Sequence, residues 1–503
     1  MKRHKHGLSS TFLASMDLGE IIPLNVVEVL PGDTFQKATS ALLRCSPLLA
    51  PVMHKVNVDI YDFFVPNRLV WDDWEDFITG GEDGTDSSVY PTITTPASTG
   101  FAVGSLADYL GVPPGVASRE VSALPFRGYA LIFNEWFRDQ DLVTPLVIDT
   151  TSGPDTTTSV ALQNAAWPKD YFTSARPWEA KGPEITIPLG TSAPVLGIGV
   201  TSGGASSTGV AGFGSNAASD ALLQSGDATF RTGASDEIIV AGTGAAGAIG
   251  SSNRPNIFAD LTGVSAITLN ALREAAALQR MQEARARYGS RYSEYLRYLG
   301  IRYSDSRLQR PEFLGGGRDV VQFSEVLQTG PGDDPVGDLK GHGISGMRSR
   351  RWRRTFEEHG YMFTFIVVRP KSIYADGLER TWNRRFKEDF WQPELQFIGQ
   401  QAILNKEVDF SHATPEGVFG YQDRYDDYRS AWSRIAGDFR TTLDFWHFAR
   451  IFGSSPALNE TFIKCVPSEE PFAVPSEDVL YITANHSIQA RRLVVPVGKS
   501  MLF

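Results

Sequence analysis

Two short basic runs are the parts of this sequence best suited to holding a polyanion. "RSRRWRR" sets Arg348, Arg350, Arg351, Arg353 and Arg354 around Trp352. Guanidinium groups neutralise and hydrogen-bond phosphates, and an indole offers an unpaired base a face to stack on, so the combination suits single-stranded nucleic acid. The same residues would also serve as a solvated loop before a strand, with Trp352 covering an apolar edge. At the other end of the chain "KRHKH" brings Lys2, Arg3 and Lys5 together with two histidines, either an arm that reaches phosphates or a plain charged tail.

Other chemistries find less support. Gly242, Gly244 and Gly247 fit GxGxxG after the run Ile238–Val240. A dinucleotide site needs a helix to open at that point and an acidic residue about 20 positions on, whereas "SSNRPN" follows and Arg254-Pro255 breaks any helix. The eight histidines are scattered, His4 and His6 forming the one close pair, and no HExxH occurs. Glu357 with Glu358, and Asp426 with Asp427, are acids adjacent in sequence, which on a strand point to opposite faces. GxSxG is missing, and so is any recognisable Cys/His pattern. These residues point to no catalytic site, no metal and no cofactor.

The elements that must position the basic runs are strands at both ends of the chain. With 503 residues, 42% hydrophobic and 21% charged, the composition is that of a folded globular protein. A formal charge of −11 argues against a surface that coats nucleic acid all over, so such a contact must be a local patch. Cys45 and Cys465 make no disulfide framework, which fits a reducing compartment. The first residues are interrupted by Ser, Thr, Asp17 and Glu20 and form no signal-peptide core, and no apolar run approaches the ~20 residues of a membrane span. Synthesis in the cytoplasm without export by that route is expected.

Strands are predicted at "EIIPLNVVEVL", "TFQKATSALLRC" and "PVMHKVNVDIYDFFVP" near the N-terminus, and at 361–370, 477–487 and 488–498 near the C-terminus. In the third, Val52, Val56, Val58 and Ile60 share one face and Met53, Lys55, Asn57, Asp59, Tyr61 and Phe63 the other, which predicts a sheet with one strongly buried face. Helices are predicted for "LPFRGYALIFNEWFRDQ", with Pro125 in its first turn and Tyr129, Ile132, Phe133, Trp136 and Phe137 on one stripe, and for 268–289, followed by the shorter "SRYSEYLRYLG". A further helical repeat runs through Leu378, Trp382, Phe386 and Phe390. Residues 190–255 are a Gly/Ala/Ser/Thr tract too poor in apolar bulk to build a core and read as a surface insertion.

The chain carries 30 Phe, 16 Tyr and 10 Trp, many in Pro- or Gly-punctuated segments, a supply of apolar surface typical of interfaces as well as cores. Several of these segments carry a resemblance: "VLPGDTF", "FFVPNRLVWDDWEDF", "LPFRGYALIFNEWFRDQDL", "DYFTSARPW", "RLQRPEFLGG", "FEEHGY", "AILNKEV", "VFGYQDRYDDYR" and "LDFWHFA", in this order between residue 29 and about 450. The sequence resembles the major capsid proteins of the Microviridae, small tailless single-stranded-DNA phages, and especially the gokushovirus branch. The resemblance implies a mainly β fold, an eight-stranded antiparallel jelly-roll sandwich with long loop and helical insertions, and one such domain over 1–503 with an N-terminal arm at 1–19. It implies self-assembly into a T=1 icosahedral shell around circular single-stranded DNA, with other virion proteins (a DNA pilot or DNA-binding protein) and the host cell surface as partners, assembly in the bacterial cytoplasm, and residence in the virion. The tract 190–255 falls where the gokushoviruses carry a variable insertion at the threefold axes. Phe63, Phe64, Trp71, Trp74 and Phe77 are then expected to leave a strand and wedge into the subunit's own insertions or a neighbouring subunit. The arginine cluster matches none of these segments, so its DNA contact is an expectation from chemistry alone. The competing readings are a β-sandwich carbohydrate-active enzyme with a Trp- and Tyr-lined cleft and a host-binding, lectin-like module.

Overall fold

Leu480–Arg492 alternates buried and exposed side chains, the period-two signature of a strand with one face on a core, and it anchors the larger of two antiparallel sheets. The computed structural model describes residues 3–82, 85–183, 185, 195–196, 228–232, 238–242, 258–259, 269–288, 297–298, 309–327, 329 and 338–496. The strands of its two large sheets are β1 (His4–Gly7), β2 (Ser10–Met16), β3 (Ile22–Val29), β4 (Thr34–Cys45), β5 (Val56–Pro66), β6 (Glu312–Val320), β7 (Gln322–Leu327), β8 (Leu339–Arg348), β9 (Trp352–Thr355), β10 (Gly360–Pro370) and β11 (Leu480–Arg492). In the larger sheet the order is β1-β11-β4-β8-β7, with β2 also on β11 and β9 also on β4; in the smaller it is β6-β5-β10-β3. β1 and β2 run end to end along β11, and β8 and β9 end to end along β4. Ser349 holds the second break shut, its hydroxyl accepting from the Thr39 amide at 2.8 Å and its own amide donating to the Thr39 carbonyl at 2.8 Å.

Apolar side chains from the two sheets meet between them. Val56, Val58 and Ile60 of β5 and Ile366 and Val368 of β10 pack against Ala41 and Leu43 of β4 and Leu480, Ile482 and Ala484 of β11. Towards one end the same interior holds Phe35, Phe64, Met362, Ile488 and Ala490, and it encloses a charge pair, Lys37 Nζ to Asp62 Oδ1 at 2.7 Å with both side chains fully buried. Thr364 lies against both partners, and the Trp352 indole N–H donates to the second Asp62 oxygen at 2.8 Å.

The prediction of one buried face for β5 is corrected here: the strand is buried on both. Phe63 and Val65 of β5, with Phe363, Phe365 and Val367 of β10, lie under Leu124, Phe126, Tyr129, Ile132 and Phe133, because the long excursions between β5 and β6 and between β10 and β11 return over the outer face of the smaller sheet. The polar residue that made this face read as solvent-exposed is an ion-paired one: Asp59 meets Arg318 at 2.5 Å and Arg369 at 3.0 Å. Of the two alternatives expected for these aromatics, Phe63 and Trp71 take the chain's own insertions under this cover, while Phe64 lies in the inter-sheet interior; they are 1%, 0% and 0% exposed inside their own chain. Trp71 donates its indole N–H to Ser152 at 2.8 Å. Trp74, half-buried against His359, and Phe77, 38% exposed and 4.7 Å from the Trp71 ring, form the rim of this cluster.

The helix expected after Pro125 runs over Leu124–Ile132, and its last turn widens to a π-helix over Phe133–Phe137. Gly128 lets it sit flush on the sheet, since a Cβ there would lie 2.7 Å from the Phe363 ring. Leu269–Tyr288 is the second expected helix. Residues 378–390 are not helical: single 3-10 turns occupy Arg380–Asn383 and Lys387–Asp389. The Asp389 carboxylate takes the Arg385 and Phe386 amides at 2.7 and 2.8 Å, a local bond that competes with helix formation. The segment His4–Met16, expected within a loose arm, is edge strand. The chain divides into two units, Met1–Lys181 with Glu283–Phe503, and Gly182–Gln282. Within the second, strand pairs join Val195–Leu196 to Phe258–Ala259 and Ala228–Thr232 to Ile238–Gly242. The rest of the tract 190–255, with Gly244 and Gly247, lies outside the described residues, as does nearly all of "SRYSEYLRYLG".

Candidate nucleic-acid interface

Strand parity decides which basic residues share a surface. On β11 the even positions from Leu480 to Ala490 turn into the core, so Tyr481, Thr483, Asn485, Ser487, Gln489 and Arg491 face outward. Lys5 pairs with Arg491, Arg491 with Thr34, and Thr34 with Thr355, a row that crosses the sheet from β1 to β9. One row over, Gln489 pairs with Gln36 and Gln36 with Arg353. Further along, Arg348 stands opposite Ser40, and Arg44 opposite Tyr481.

Three segments far apart in sequence are thereby brought together. Arg3, Lys5, Thr34, Arg353 and Arg491 line one open cavity of about 320 Å³ at this end of the sheet. Arg3 Nη1 donates to Thr34 Oγ1 at 3.3 Å, which in turn is 3.0 Å from the Thr355 hydroxyl. Lys5, Arg348, Arg353 and Arg491 are exposed and make no ion pair with any described residue. Along β2, β4, β9 and β11 the outward positions named above, with Thr11, Leu13, Ser15 and Leu42, include no acid, although the whole chain carries 58 Asp and Glu against 47 Lys and Arg. Cations without ion pairs, on sheet positions that carry no acid, have the chemistry to hold phosphates.

Not every predicted residue belongs to that face. Arg350 and Arg351 are exposed at the break between β8 and β9, the Arg350 amide donating to the Gly316 carbonyl at 3.3 Å. Trp352 has the opposite parity from Arg353. Its ring packs on Gly315 and its N–H is committed to the buried Asp62, so the expected stacking platform is turned into the sandwich. Arg354 likewise points away and pairs with Glu312 at 2.8 Å. Lys2 lies outside the described residues. Arg491 was missed in the sequence, where "ARR" was legible only as part of the strand predicted at 488–498; outward parity would have found it. Its neighbour Arg492 turns inward to Asp33 at 2.9 Å and covers the Phe35 ring. Burial pushes the Asp33 carboxyl up from its ordinary pKa, against the opposing pull of the Leu30 amide, Arg492 and Arg3.

The adjacent acids lie outside the strands, Asp426 and Asp427 in a 3-10 turn, and those that pair do so with different bases. Glu358 pairs with Arg68 at 2.6 Å, Asp426 with Arg429 at 3.3 Å, and Asp427 with Arg384.

The described residues form a mainly β protein built on two large antiparallel sheets, the β-sandwich class. The chain belongs to the capsid protein (F protein) family, whose sequence profile matches residues 1–502. It is 38% identical over 479 residues to capsid protein VP1 of Bdellovibrio phage phiMH2K, covering 91% of this chain and 87% of that one. With capsid protein VP1 of Chlamydia phage 1 the identity is 34% over 544 residues, covering 94% and 90%. With that of Spiroplasma virus 4 it is 32% over 502 residues, covering 92% and 87%. The Microviridae resemblance read from the sequence segments thus holds over almost the whole chain, and the protein's role is that of a phage capsid protein.

Proposed function

We propose that copies of this chain close into a T=1 icosahedral shell around circular single-stranded DNA, with the acid-free face of the larger sheet turned to the lumen. Convergence carries this reading: Arg3 and Lys5, Arg348 and Arg353, and Arg491 come from three distant segments of a protein of net charge −11 and meet on one sheet face. Phosphate neutralisation by such a face is independent of base sequence, as packaging a whole genome requires. Arg350 and Arg351 extend the same contact at the break between β8 and β9.

The fold within this proposal is an eight-stranded jelly roll. Counting β1 with β2 and β8 with β9 as single interrupted strands leaves four strands on each side, with β7 as an extra edge. The chain switches sheets at almost every connection, in keeping with paired Greek keys. Trp74 and Phe77, on the rim of the aromatic cluster, contact a neighbouring subunit; the tract 190–255 is a surface insertion that meets the host cell; other virion proteins join during assembly in the bacterial cytoplasm. The role is structural and involves no catalysis.

Replacing Arg348, Arg350, Arg351, Arg353 and Arg491 with Gln tests the lumenal face. Particles of normal size that lack DNA, by absorbance ratio and nuclease-resistant nucleic acid, are the expected result. Particles that package DNA as before would reject it.

A further inference from the structure

A run of exposed aromatic side chains lies far in sequence from the aromatic stretch at 61–77. Within the 3-10 turns after Arg380, Trp382, Phe386, Phe390, Trp391 and Phe397 are 65%, 71%, 51%, 52% and 85% exposed. Rings of ~150–250 Å² each, exposed to this degree, present on the order of 600 Å² of apolar surface, close to one partner's share of a standard protein interface. Asn383 and Arg384 of the same segment, with Arg424, help to line a cavity of about 190 Å³. Its guanidinium groups are already engaged, Arg384 with Asp427 and over the Tyr428 ring, and Arg424 with the Glu388 carbonyl at 3.5 Å.

We propose that this segment is an assembly contact in which a second copy of the chain covers the rings; the inference rests on the shell reading above and adds its place. Charge selects the occupant. Residues 379–398 carry four basic and four acidic side chains, a balance that suits a protein surface and not a polyanion. The acids that line the pocket have donors already: Asp389 takes the Arg385 and Phe386 amides, and Glu407 takes Arg380 at 3.0 Å and the Leu404 amide at 3.1 Å. Glu388 pairs with Lys387 at 3.6 Å. The partner is identified by numbers as well as chemistry, because a shell subunit spends most of its life against copies of itself.

Two measurements on assembled full-length protein decide it. Phe386→p-benzoylphenylalanine, irradiated in particles, should crosslink to another copy of the chain; crosslinks only to DNA, or none, would overturn the proposal. Trp382→Ser/Phe386→Ser should raise the protein concentration needed for assembly at least tenfold while the unfolding midpoint of the unassembled subunit stays put. An unchanged threshold, with wild-type protein assembling normally, sinks this contact and leaves the shell intact. Wild-type protein that never assembles sinks both.

Discussion

Lys37→Met should be among the most damaging single changes in the sandwich. Lys37 and Asp62 are both 0% exposed, 2.7 Å apart between the sheets, and the Asp62 carboxylate also receives the Trp352 indole at 2.8 Å and the Thr364 hydroxyl at 2.8 Å. Burial pulls the Lys37 ammonium below its ordinary pKa and Asp62 pulls it back, so the desolvation cost exceeds what the partner returns. Removing the ammonium alone strands a carboxylate with two neutral donors, and breaking a buried pair in this way costs about 3–5 kcal/mol. In Lys37→Met/Asp62→Asn the charge goes too, while the Asn oxygen still accepts from Trp352 and its amide N–H can donate to the Thr364 hydroxyl. That double variant should lose only about 1–2 kcal/mol, the scale of one imperfectly satisfied polar group. Urea unfolding of the unassembled subunit, followed by tryptophan fluorescence with the slope checked for constancy, measures both. A double variant less stable than Lys37→Met, or a Lys37→Met protein as stable as wild type, would refute the reasoning.

Three further outcomes follow from the packing. His54 and His486 are buried and held neutral, each with its pKa pushed down to about 4 chiefly by desolvation. The unfolded chain, titrating near 6.5, then binds more protons between pH 6.5 and 4, so their contribution falls as pH drops through that window, by up to about 3 kcal/mol each; His486→Gln should flatten the acid side of the stability profile relative to wild type. Gly128→Ala drives a methyl into the Phe363 ring at 2.7 Å and should cost about 1–3 kcal/mol in the same urea assay. Arg127 is fully buried, bonded to Asp155 at 2.8 Å and to the Val70 and Thr151 carbonyls at 3.0 and 3.1 Å, so Arg127→Met should cost about 3–5 kcal/mol and lower the yield of soluble subunit.

The strands most legible in the sequence are those whose apolar periodicity serves the inter-sheet core: β4 spans the predicted Thr34–Cys45 and β10 begins one residue before its predicted start. The two C-terminal readings, 477–487 and 488–498, are one strand, because Asn485 and Ser487, turn-favouring residues in sequence, stand at outward positions in unbroken pairing with β4. β6 and β8 were illegible since glycine replaces side chains where backbones crowd: a Cβ on Gly316 would lie 2.2 Å from the Ile60 carbonyl, and one on Gly341 2.6 Å from that of Ala50. β1 and β2 are short, polar edge strands with little periodicity to read. The aromatics at 61–77 and at 382–397 look alike in composition, yet one set is core and the other exposed; only the path of the covering excursions separates them. The basic runs were visible singly, whereas their meeting with Arg491 depends on β11 lying between β1 and β4, a matter of topology that no local pattern encodes.

The most direct test is a reconstruction by electron cryo-microscopy of particles formed by the expressed chain. It should show a closed T=1 shell with the larger sheet's Lys5, Arg348, Arg353 and Arg491 lining the lumen and nucleic-acid density against them. A shell with that face on its exterior or sealed between subunits, or protein that stays monomeric, would contradict the account.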